Sequence, residues 1–223
     1  MKKVLVVGSG NWANRYESTL KKFPDVQVNK LTPPELNFTS TSIDEKCHEF
    51  ANHIHKQGAS AIIFATLPDI QIKVAEQLLD QNYVMVLEKP LSTDLNQATS
   101  FLKKAISSKS RIFVNQFHFF DMSIRRLAEI NSELGLVKKI CIKDGNFGPF
   151  RKSISCVYDW GAHSFGIGCI FWRELPLSLT VKQRRFVPLG DVTTEVWVVK
   201  LNFSQQRCVI CEFGNGFNKK VRK

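Results

Sequence analysis

The sequence predicts an α/β protein in which a doubly wound parallel sheet is followed by a smaller α+β domain with a mostly antiparallel, open sheet. In the first half of the chain, short apolar runs alternate with helical segments of about a dozen residues. Parallel strands need crossovers of that kind, because consecutive strands run in the same direction. In the second half, strand patterns follow one another with few helices between them, which is typical of antiparallel sheets.

The elements of the first half are predicted from hydrophobic period and from breakers. Continuous apolar runs indicate buried strands at residues 3–7 and 61–65, and further strands are predicted at residues 26–31, 83–87 and 111–115. Amphipathic patterns between them indicate helices at residues 12–23, 43–57, 70–81 and 95–107. The predicted helices and strands end at residues that break regular structure, namely Pro24, Pro33-Pro34 and Gly58. We therefore assign residues 1–117 to the parallel-sheet domain.

The second half has a different hydrophobic pattern. Its pattern predicts helices at residues 122–134 and 163–172, and strands at residues 137–143, 177–186, 193–203 and 207–213. Residues 118–223 are therefore expected to form the second domain. The last residues, 219–223, form a basic tail that we expect to be frayed.

Composition excludes several classes of protein. Hydrophobic residues make up 43% and charged residues 23% of the 223 residues, which disfavours disorder, collagen and coiled coil. No apolar run approaches the roughly 18 residues that span a bilayer, and the chain enters a strand directly after Lys3, so we expect a cytoplasmic protein without membrane contact. The cysteines show no disulfide spacing, and Cys208 and Cys211 lie in an apolar strand pattern, which favours reduced, packed thiols over a metal site.

The charge balance favours an anionic ligand. Lysine and arginine number 31 against 20 acidic residues, giving a net charge of +11. Such a surplus raises the local concentration of dinucleotides, nucleotide-sugars or nucleic acids. The basic residues are dispersed and are not interleaved with aromatic residues, so a nucleic-acid partner is disfavoured.

A glycine-rich turn follows the first predicted strand and precedes the first predicted helix. Its residues are Gly8, Ser9, Gly10, Asn11, Trp12 and Ala13, which match the pattern G-x-G-x-x-G/A. Gly8 would permit the tight turn, Gly10 would let a diphosphate approach the backbone, and Ala13 would let the helix pack closely. The turn therefore predicts dinucleotide binding at a helix start; a glycine-rich connection without a ligand is the alternative.

The end of the second strand bears on the choice of cofactor. NAD-binding domains often carry an acid there for the ribose hydroxyls, and residues 26–32 contain none. Lys30 would instead meet a 2′-phosphate, with Thr32 as a hydroxyl partner, so NADP is favoured over NAD. The alternative is that Lys30 is simply exposed to solvent.

A second polar element follows the fourth predicted strand, where open α/β sheets bind ligands. Glu88, Lys89 and Pro90 come directly after Leu87. A lysine at this edge would donate a hydrogen bond to a substrate hydroxyl and favour its developing alkoxide. Pro90 would stiffen the turn that directs the lysine.

These motifs together resemble one family. The matching segments are Gly8-Ser9-Gly10, Ala65-Thr66-Leu67-Pro68, Glu88-Lys89-Pro90-Leu91 and Asp159-Trp160-Gly161-Ala162-His163. Their order and rough spacing resemble those of the glucose-fructose oxidoreductase, inositol dehydrogenase and MocA (Gfo/Idh/MocA) family, most strongly over residues 1–115. The resemblance implies an N-terminal Rossmann domain that binds NAD(P), and a second domain whose open sheet supports homo-oligomers.

The resemblance also implies an activity and its residues. The activity is hydride transfer between nicotinamide and a sugar, nucleotide-sugar or related polyol or carbonyl substrate. Lys89 corresponds to the catalytic lysine, Asp159 to the acid that orients substrate, and His163 to the general acid/base. The cofactor would also contact a further group of residues: Thr66, Leu67, Pro68, Glu88 and Pro90. Without the resemblance, the pattern favours a helix-terminal histidine at His163 that is satisfied by hydrogen bonds.

Two departures from the family pattern keep a second function open. Family members usually carry a histidine where this chain has Gln71, and the second sheet is shorter than usual. The alternative is a catalytically inactive dinucleotide-binding or regulatory protein that retains the fold.

Overall fold

The computed structural model describes residues 1–33, 43–133, 135, 137–151 and 154–223. The chain divides into two compact units, Met1–Asn115 and Gln116–Lys223. The boundary between the units lies after Asn115, two residues before the position that the sequence pattern predicted.

The first unit is a five-stranded parallel sheet with helical crossovers. Its strands are β1 (Lys2–Val7), β2 (Val26–Leu31), β3 (Ala61–Phe64), β4 (Val84–Glu88) and β5 (Arg111–Asn115). Its helices are α1 (Asn11–Leu20), α2 (Ile43–Lys56), α3 (Pro68–Gln77) and α4 (Leu95–Ser107), with a 3-10 turn at Leu79–Gln81. The strand order is β2-β1-β3-β4-β5, and every neighbouring pair is parallel. The predicted doubly wound sheet is confirmed.

The continuous apolar strands are buried on both faces of this sheet. Leu5, Ile62 and Phe64 pack into a core with helices α2 and α3. Val6 and Ile63 pack on the opposite face against Ala13 of α1. Helix α1 ends at Leu20, earlier than predicted, because the following backbone N–H groups turn back onto Glu17, Thr19 and Leu20. Of the breakers at the end of β2, Pro34 lies outside the described residues.

The second unit is a mixed, mostly antiparallel sheet with helices. Its strands are β6 (Lys139–Phe147), β7 (Ser178–Leu189), β8 (Val192–Asn202), β9 (Cys208–Gly214) and β10 (Gly216–Arg222). Its helices are α5 (Met122–Glu129) and α6 (Ala162–Trp172), with 3-10 turns at Phe117–Phe120 and Ile130–Ser132 and a π-helical turn at Val157–Gly161. The strand order is β10-β6-β9-β8-β7, in which only β6 and β9 are parallel. The helix predicted at 122–134 ends at Glu129, and residue 134 lies outside the described residues.

Helix α6 packs on one face of the second sheet. Trp172 joins Leu201, Val209 and Phe213 in a buried cluster. Gly168 permits this approach, since a Cβ there would lie 2.7 Å from a methyl carbon of Val209. Within the described residues, no helix has the length and apolar character needed to cross a membrane.

The C-x-x-C segment is a strand, as the sequence predicted. Cys208 and Cys211 both lie on β9, and Cys211 is fully buried. Burial raises the pKa of the Cys211 thiol to about 12. The segment is therefore part of the core of the second unit.

The expectation of a frayed basic tail is wrong, because the tail forms edge strand β10 against β6. Lys143 and Lys223 exchange backbone hydrogen bonds of 3.1 and 2.9 Å. Arg222 donates to both carboxylate oxygens of Asp144, at 3.2 and 3.0 Å, and Asp144 is 4% exposed. Lysines are common on edge strands, where their ammonium groups stay in water while the backbone pairs. The tail is therefore joined to β6 both through its backbone and through the contact of Arg222 with Asp144.

Candidate functional site

The candidate site lies at the carboxyl edge of the first sheet. The glycine-rich turn follows β1, Thr32 follows β2, Thr66 follows β3 and Lys89 follows β4. Strand β1 lies between β2 and β3, so the chain reverses its direction of winding there. Ligands of open α/β sheets bind outside the strand ends at such a switch point.

The packing of the protein itself requires glycine at position 8. Gly8 has a φ of +145°, and a Cβ on it would overlap the carbonyl oxygen of Ala65 and lie 3.3 Å from the Cβ of Ala13. The Gly8 N–H donates to the Leu31 carbonyl at 2.8 Å. Gly8 therefore lets the ends of β1, β2 and β3 and the start of α1 come together.

Gly10 is a different case, because packing does not require it to be glycine. Its φ is −80°, and a Cβ there would meet nothing within 4 Å. Gly10 is the N-cap of α1, and no side chain caps the helix start. Ser9, Gly10 and Asn11 are exposed, whereas Ala13 is buried. An open glycine before an uncapped helix start fits the diphosphate of a dinucleotide.

A positive charge lies beside this helix start. The Arg15 guanidinium lies 4.9 Å from the ring centroid of Trp12, which is 45% exposed. The local charge therefore complements an anionic ligand.

Lys30 is bound to helix α1. Its Nζ lies 2.9 Å from Oε2 of Glu17 and donates to Oδ1 of Asn14 at 3.0 Å. Hydrogen bonds from Lys21 and Lys30 lower the pKa of Glu17 to about 2. Lys30 is exposed and is also paired with α1, and its contact with a 2′-phosphate stays a prediction. Thr32 is exposed just beyond β2.

The Glu88 side chain is turned into the protein. It is 8% exposed and accepts hydrogen bonds from the Tyr16 hydroxyl and from Nδ2 of Asn115, the latter at 2.8 Å. Asn115 Nδ2 also contacts the Tyr16 oxygen at 2.5 Å. Burial, followed by the Glu88 carboxylate, raises the pKa of Tyr16. This network ties α1 and β5 to the end of β4.

Gln71 of α3 holds the backbone on both sides of Lys89. Its Oε1 accepts from the Glu88 N–H at 3.0 Å, and its Nε2 donates to the carbonyls of Glu88 and Pro90 at 2.7 and 3.0 Å. The Gln71 side chain is fully buried, and the Lys89–Pro90 peptide is cis. Lys89, half-buried, lies between the two anchored residues.

Sequence reasoning did not assign a role to Tyr16, Gln71 or Asn115. Gln71 carried one usable signal, since it is a polar residue on the apolar stripe of α3 with Ile72 and Ala75. A buried polar side chain must find hydrogen-bond partners, so such a position indicates a specific contact.

The remaining predicted cofactor contacts lie after β3, the neighbour of β4 in the sheet. Leu67 is the N-cap of α3 and is partly exposed, and Pro68 occupies the first turn and is buried. The Thr66 hydroxyl contacts the Leu67 carbonyl at 3.4 Å. These residues shape the edge beside the Lys89 turn.

Asp159 and His163 lie on consecutive turns of one helical segment in the second unit. Asp159 belongs to the π-helical turn, and its Oδ2 accepts from Nε of Arg151 at 3.0 Å. His163 is the second residue of α6, with its ring centroid 4.9 Å from that of Phe117 and 5.1 Å from that of His118. π-helical turns are frequent at functional sites. The joint action of these residues with Lys89 of the first unit stays a prediction.

No group of three or more histidine, cysteine, aspartate or glutamate side chains in the described part of the chain is arranged to hold a metal ion.

A model of an oxidoreductase family with an NAD-binding Rossmann fold matches residues 2–116. No curated protein matches the sequence. Similar solved structures include a dehydrogenase from Chromobacterium violaceum, with a TM-score of 0.78, 16% identity, and coverage of 99% of this chain and 67% of that chain. GenD2 from gentamicin A biosynthesis, in complex with NAD, has a TM-score of 0.79 at 17% identity, covering 97% and 66%. A myo-inositol dehydrogenase from Corynebacterium glutamicum ATCC 13032 has a TM-score of 0.75 at 13% identity, covering 96% and 68%.

These likenesses show the fold of the whole chain. At 13% to 17% identity they carry no statement about its substrate. The chain spans about two thirds of the length of these structures, between 66% and 68%.

Proposed function

Since this chain belongs to the Gfo/Idh/MocA family of NAD-binding oxidoreductases, we propose that it transfers a hydride between NAD(P) and a carbohydrate-like substrate. The substrate class is a sugar, a nucleotide-sugar or a related polyol or carbonyl compound. The family suggests this class, and the net charge of +11 suits substrates that carry phosphate or diphosphate.

One observation carries the proposal, namely the difference between the two glycines of the turn. Gly8 is explained by packing against Ala65, whereas a side chain at Gly10 would meet no protein atom within 4 Å. If the diphosphate of a dinucleotide must come close to the protein backbone at the start of α1, that approach explains the glycine at position 10. The uncapped helix start and the Arg15 guanidinium support an anionic ligand at this point.

NADP is the proposed preference, with NAD as the alternative cofactor. The end of β2 carries no acid that would repel a 2′-phosphate, and Lys30 is the cation nearest to that position in the sequence. Glu17 and Asn14 hold Lys30 at 2.9 and 3.0 Å, so a phosphate would have to compete with Glu17 for the ammonium group. This competition is the reason to expect only a modest preference.

Lys89, Asp159 and His163 are proposed to carry the chemistry. When bound, the dinucleotide would supply or accept the hydride at its nicotinamide ring. The Lys89 ammonium would donate to the substrate oxygen and stabilise the negative charge that develops on it. The His163 imidazole would exchange the hydroxyl proton, because imidazole gains and loses protons near neutral pH. Asp159, fixed by Arg151 at 3.0 Å, would orient the substrate.

A homo-oligomer is proposed through the sheet of the second unit. Strand β7 is exposed along its whole length, and its exposed apolar residues include Leu179, Val181 and Phe186. An exposed edge and apolar face of this kind is usually covered in a stable protein. Light scattering of the purified chain should give the mass of a multimer; a mass of 25.4 kDa at micromolar concentration would contradict this part of the proposal.

Two linked measurements test the proposed activity. NADPH and NADH are titrated by quenching of protein fluorescence, and redox turnover is then measured on a panel of sugars, nucleotide-sugars and inositols. Lys89→Ala should still bind the dinucleotide, with a Kd for NADH about tenfold above that of the wild type, but should lose at least about 100-fold in turnover, the scale of removing one electrostatic stabiliser. Binding without turnover in both proteins would instead favour the inactive, regulatory alternative.

A further inference from the structure

We propose that Gln71 is a positioning residue, which sets the place of Lys89 relative to the nicotinamide end of the dinucleotide. This inference rests on the proposed function, because it concerns the same site. Gln71 does not touch the reacting atoms in this scheme; it acts through the backbone of the Glu88–Lys89–Pro90 turn.

The Gln71 amide uses all of its donors on this turn. One N–H donates to the Glu88 carbonyl at 2.7 Å and the other to the Pro90 carbonyl at 3.0 Å. The carbonyl oxygen of the amide accepts from the Glu88 N–H at 3.0 Å. The three bonds bracket Lys89 from one rigid group on helix α3. A neutral imidazole offers one donor and one acceptor, so it cannot make the same set.

The same turn is fixed from its other side. The Glu88 carboxylate is held by Tyr16 of α1 and by Asn115 of β5, the latter at 2.8 Å. Helices α1 and α3 and strand β5 therefore all hold Glu88, the residue immediately before Lys89. Of these hydrogen bonds, the one from Gln71 is the one that holds Pro90, the residue after it. These bonds fix the backbone from which the Lys89 side chain extends, so the turn itself need not reorganise when a ligand binds.

A purely structural role is the competing explanation, and the two make different predictions for ligands. Loss of stability alone would weaken every dinucleotide fragment alike. Loss of Lys89 positioning would weaken ligands that reach the end of β4 and spare ligands that reach only the glycine-rich turn. NADH carries the nicotinamide ring, whereas ADP-ribose shares its diphosphate and adenosine and lacks that ring.

The test therefore compares the two probes in variants of the full chain. In Gln71→Met, which has a similar length and no hydrogen-bonding amide, we expect the Kd for NADH to rise about tenfold, the equivalent of one net hydrogen bond. We expect the Kd for ADP-ribose in the same variant to change by less than about twofold. Gln71→His should give an intermediate Kd for NADH, since an imidazole restores part of the hydrogen bonding.

Ser110→Ala is the matched control. Ser110 is also a buried polar side chain of the first unit that bonds backbone groups, accepting from the Tyr83 N–H at 3.0 Å and donating to the Leu78 carbonyl at 3.3 Å. It lies before β5, at the opposite end of that strand from Asn115. Its loss should lower the melting temperature and leave both Kd values unchanged.

Outcomes separate the two proposals. If the wild-type protein binds neither NADH nor ADP-ribose, the proposed function fails. If the wild-type protein binds both, and Gln71→Met weakens both equally or neither, the positioning role fails while the proposed function stands. Should Gln71→Met not fold, Gln71→His decides, because an unchanged NADH-to-ADP-ribose ratio in that variant also overturns the positioning role.

Discussion

Replacement of Gly10 by alanine is expected to separate ligand binding from folding. A Cβ at this position would meet no protein atom within 4 Å, and the φ of −80° suits any residue. The added methyl group would occupy the space through which a diphosphate must approach the start of α1. We therefore expect a folded protein that binds dinucleotides poorly.

The expected change in the free energy of unfolding is small because two contributions oppose each other. Alanine is a poorer N-cap than glycine, by roughly 0.5–1 kcal/mol. Alanine also has fewer unfolded conformations, which stabilises the folded state by about 0.4–1 kcal/mol. The net change should stay within about 1 kcal/mol, whereas a steric clash with the ligand should raise the Kd at least about tenfold, or about 1.4 kcal/mol.

The assay is thermal denaturation combined with NADH titration, and Gly8→Ala is the comparison variant. At Gly8 the Cβ would overlap the Ala65 carbonyl and the φ of +145° would be strained, so stability should fall by about 3 kcal/mol or more. If Gly10→Ala binds NADH as tightly as the wild type, the ligand does not approach that glycine and the reasoning is refuted. A large loss of stability in Gly10→Ala would equally refute the packing argument.

Three further predictions follow from the described contacts. Glu17→Gln should release Lys30 and tighten NADPH binding about threefold or more while leaving NADH unchanged, since only NADPH offers a 2′-phosphate; paired titrations measure this. Arg222→Ala should lower the free energy of unfolding by about 1–3 kcal/mol, because it leaves the Asp144 carboxylate buried without its cation, as denaturant unfolding would show. The Cys211 thiol, with its pKa raised to about 12 by burial, should be alkylated at pH 8 at least about 100-fold more slowly in the native than in the unfolded protein, as mass spectrometry would show.

Each of these predictions has a control within the same chain. Lys21 also pairs with Glu17, at 2.7 Å, but lies at the end of α1, so Lys21→Met should leave the NADPH-to-NADH ratio unchanged. Lys220→Ala on exposed β10 should leave stability within about 0.5 kcal/mol of the wild type. Exposed Cys141 should be alkylated in the native protein. Equal rates for Cys141 and Cys211 would contradict the burial of β9 in the core.

The first unit was predictable because its central strands β1, β3 and β4 are mainly buried. Continuous apolar runs such as that of β3 admit few other structures once helices alternate with them. The role of Gly8 followed from the turn that such a strand and helix require. The interpretation of Gly10 as a ligand-binding residue needed only the glycine-rich pattern between that strand and that helix.

The tail could not be predicted in the same way. Local sequence shows basic residues and gives no sign that Asp144, far away in sequence, is buried beside Arg222. A strand at a sheet edge gains its order from its partner, and that partner is defined by tertiary structure. Composition therefore favoured a frayed end where the fold supplies a strand.

The network around Lys89 was also beyond local reasoning. Tyr16, Gln71 and Asn115 come from three separate elements, and their hydrogen bonds exist only after the sheet has assembled. Lys30 shows the same limit, since Glu17 lies on the preceding helix and only the structure brings the two together. The sequence indicated which edge of the sheet matters, and the structure defines how its lysine is held.

A crystal structure of the protein soaked with NADH would show whether the dinucleotide binds between the glycine-rich turn and Lys89. We expect the diphosphate within hydrogen-bond distance of the backbone N–H groups that follow Gly10, and the nicotinamide ring beside the Lys89 ammonium. A dinucleotide bound elsewhere on the protein, or one whose nicotinamide lies away from Lys89, would contradict this expectation.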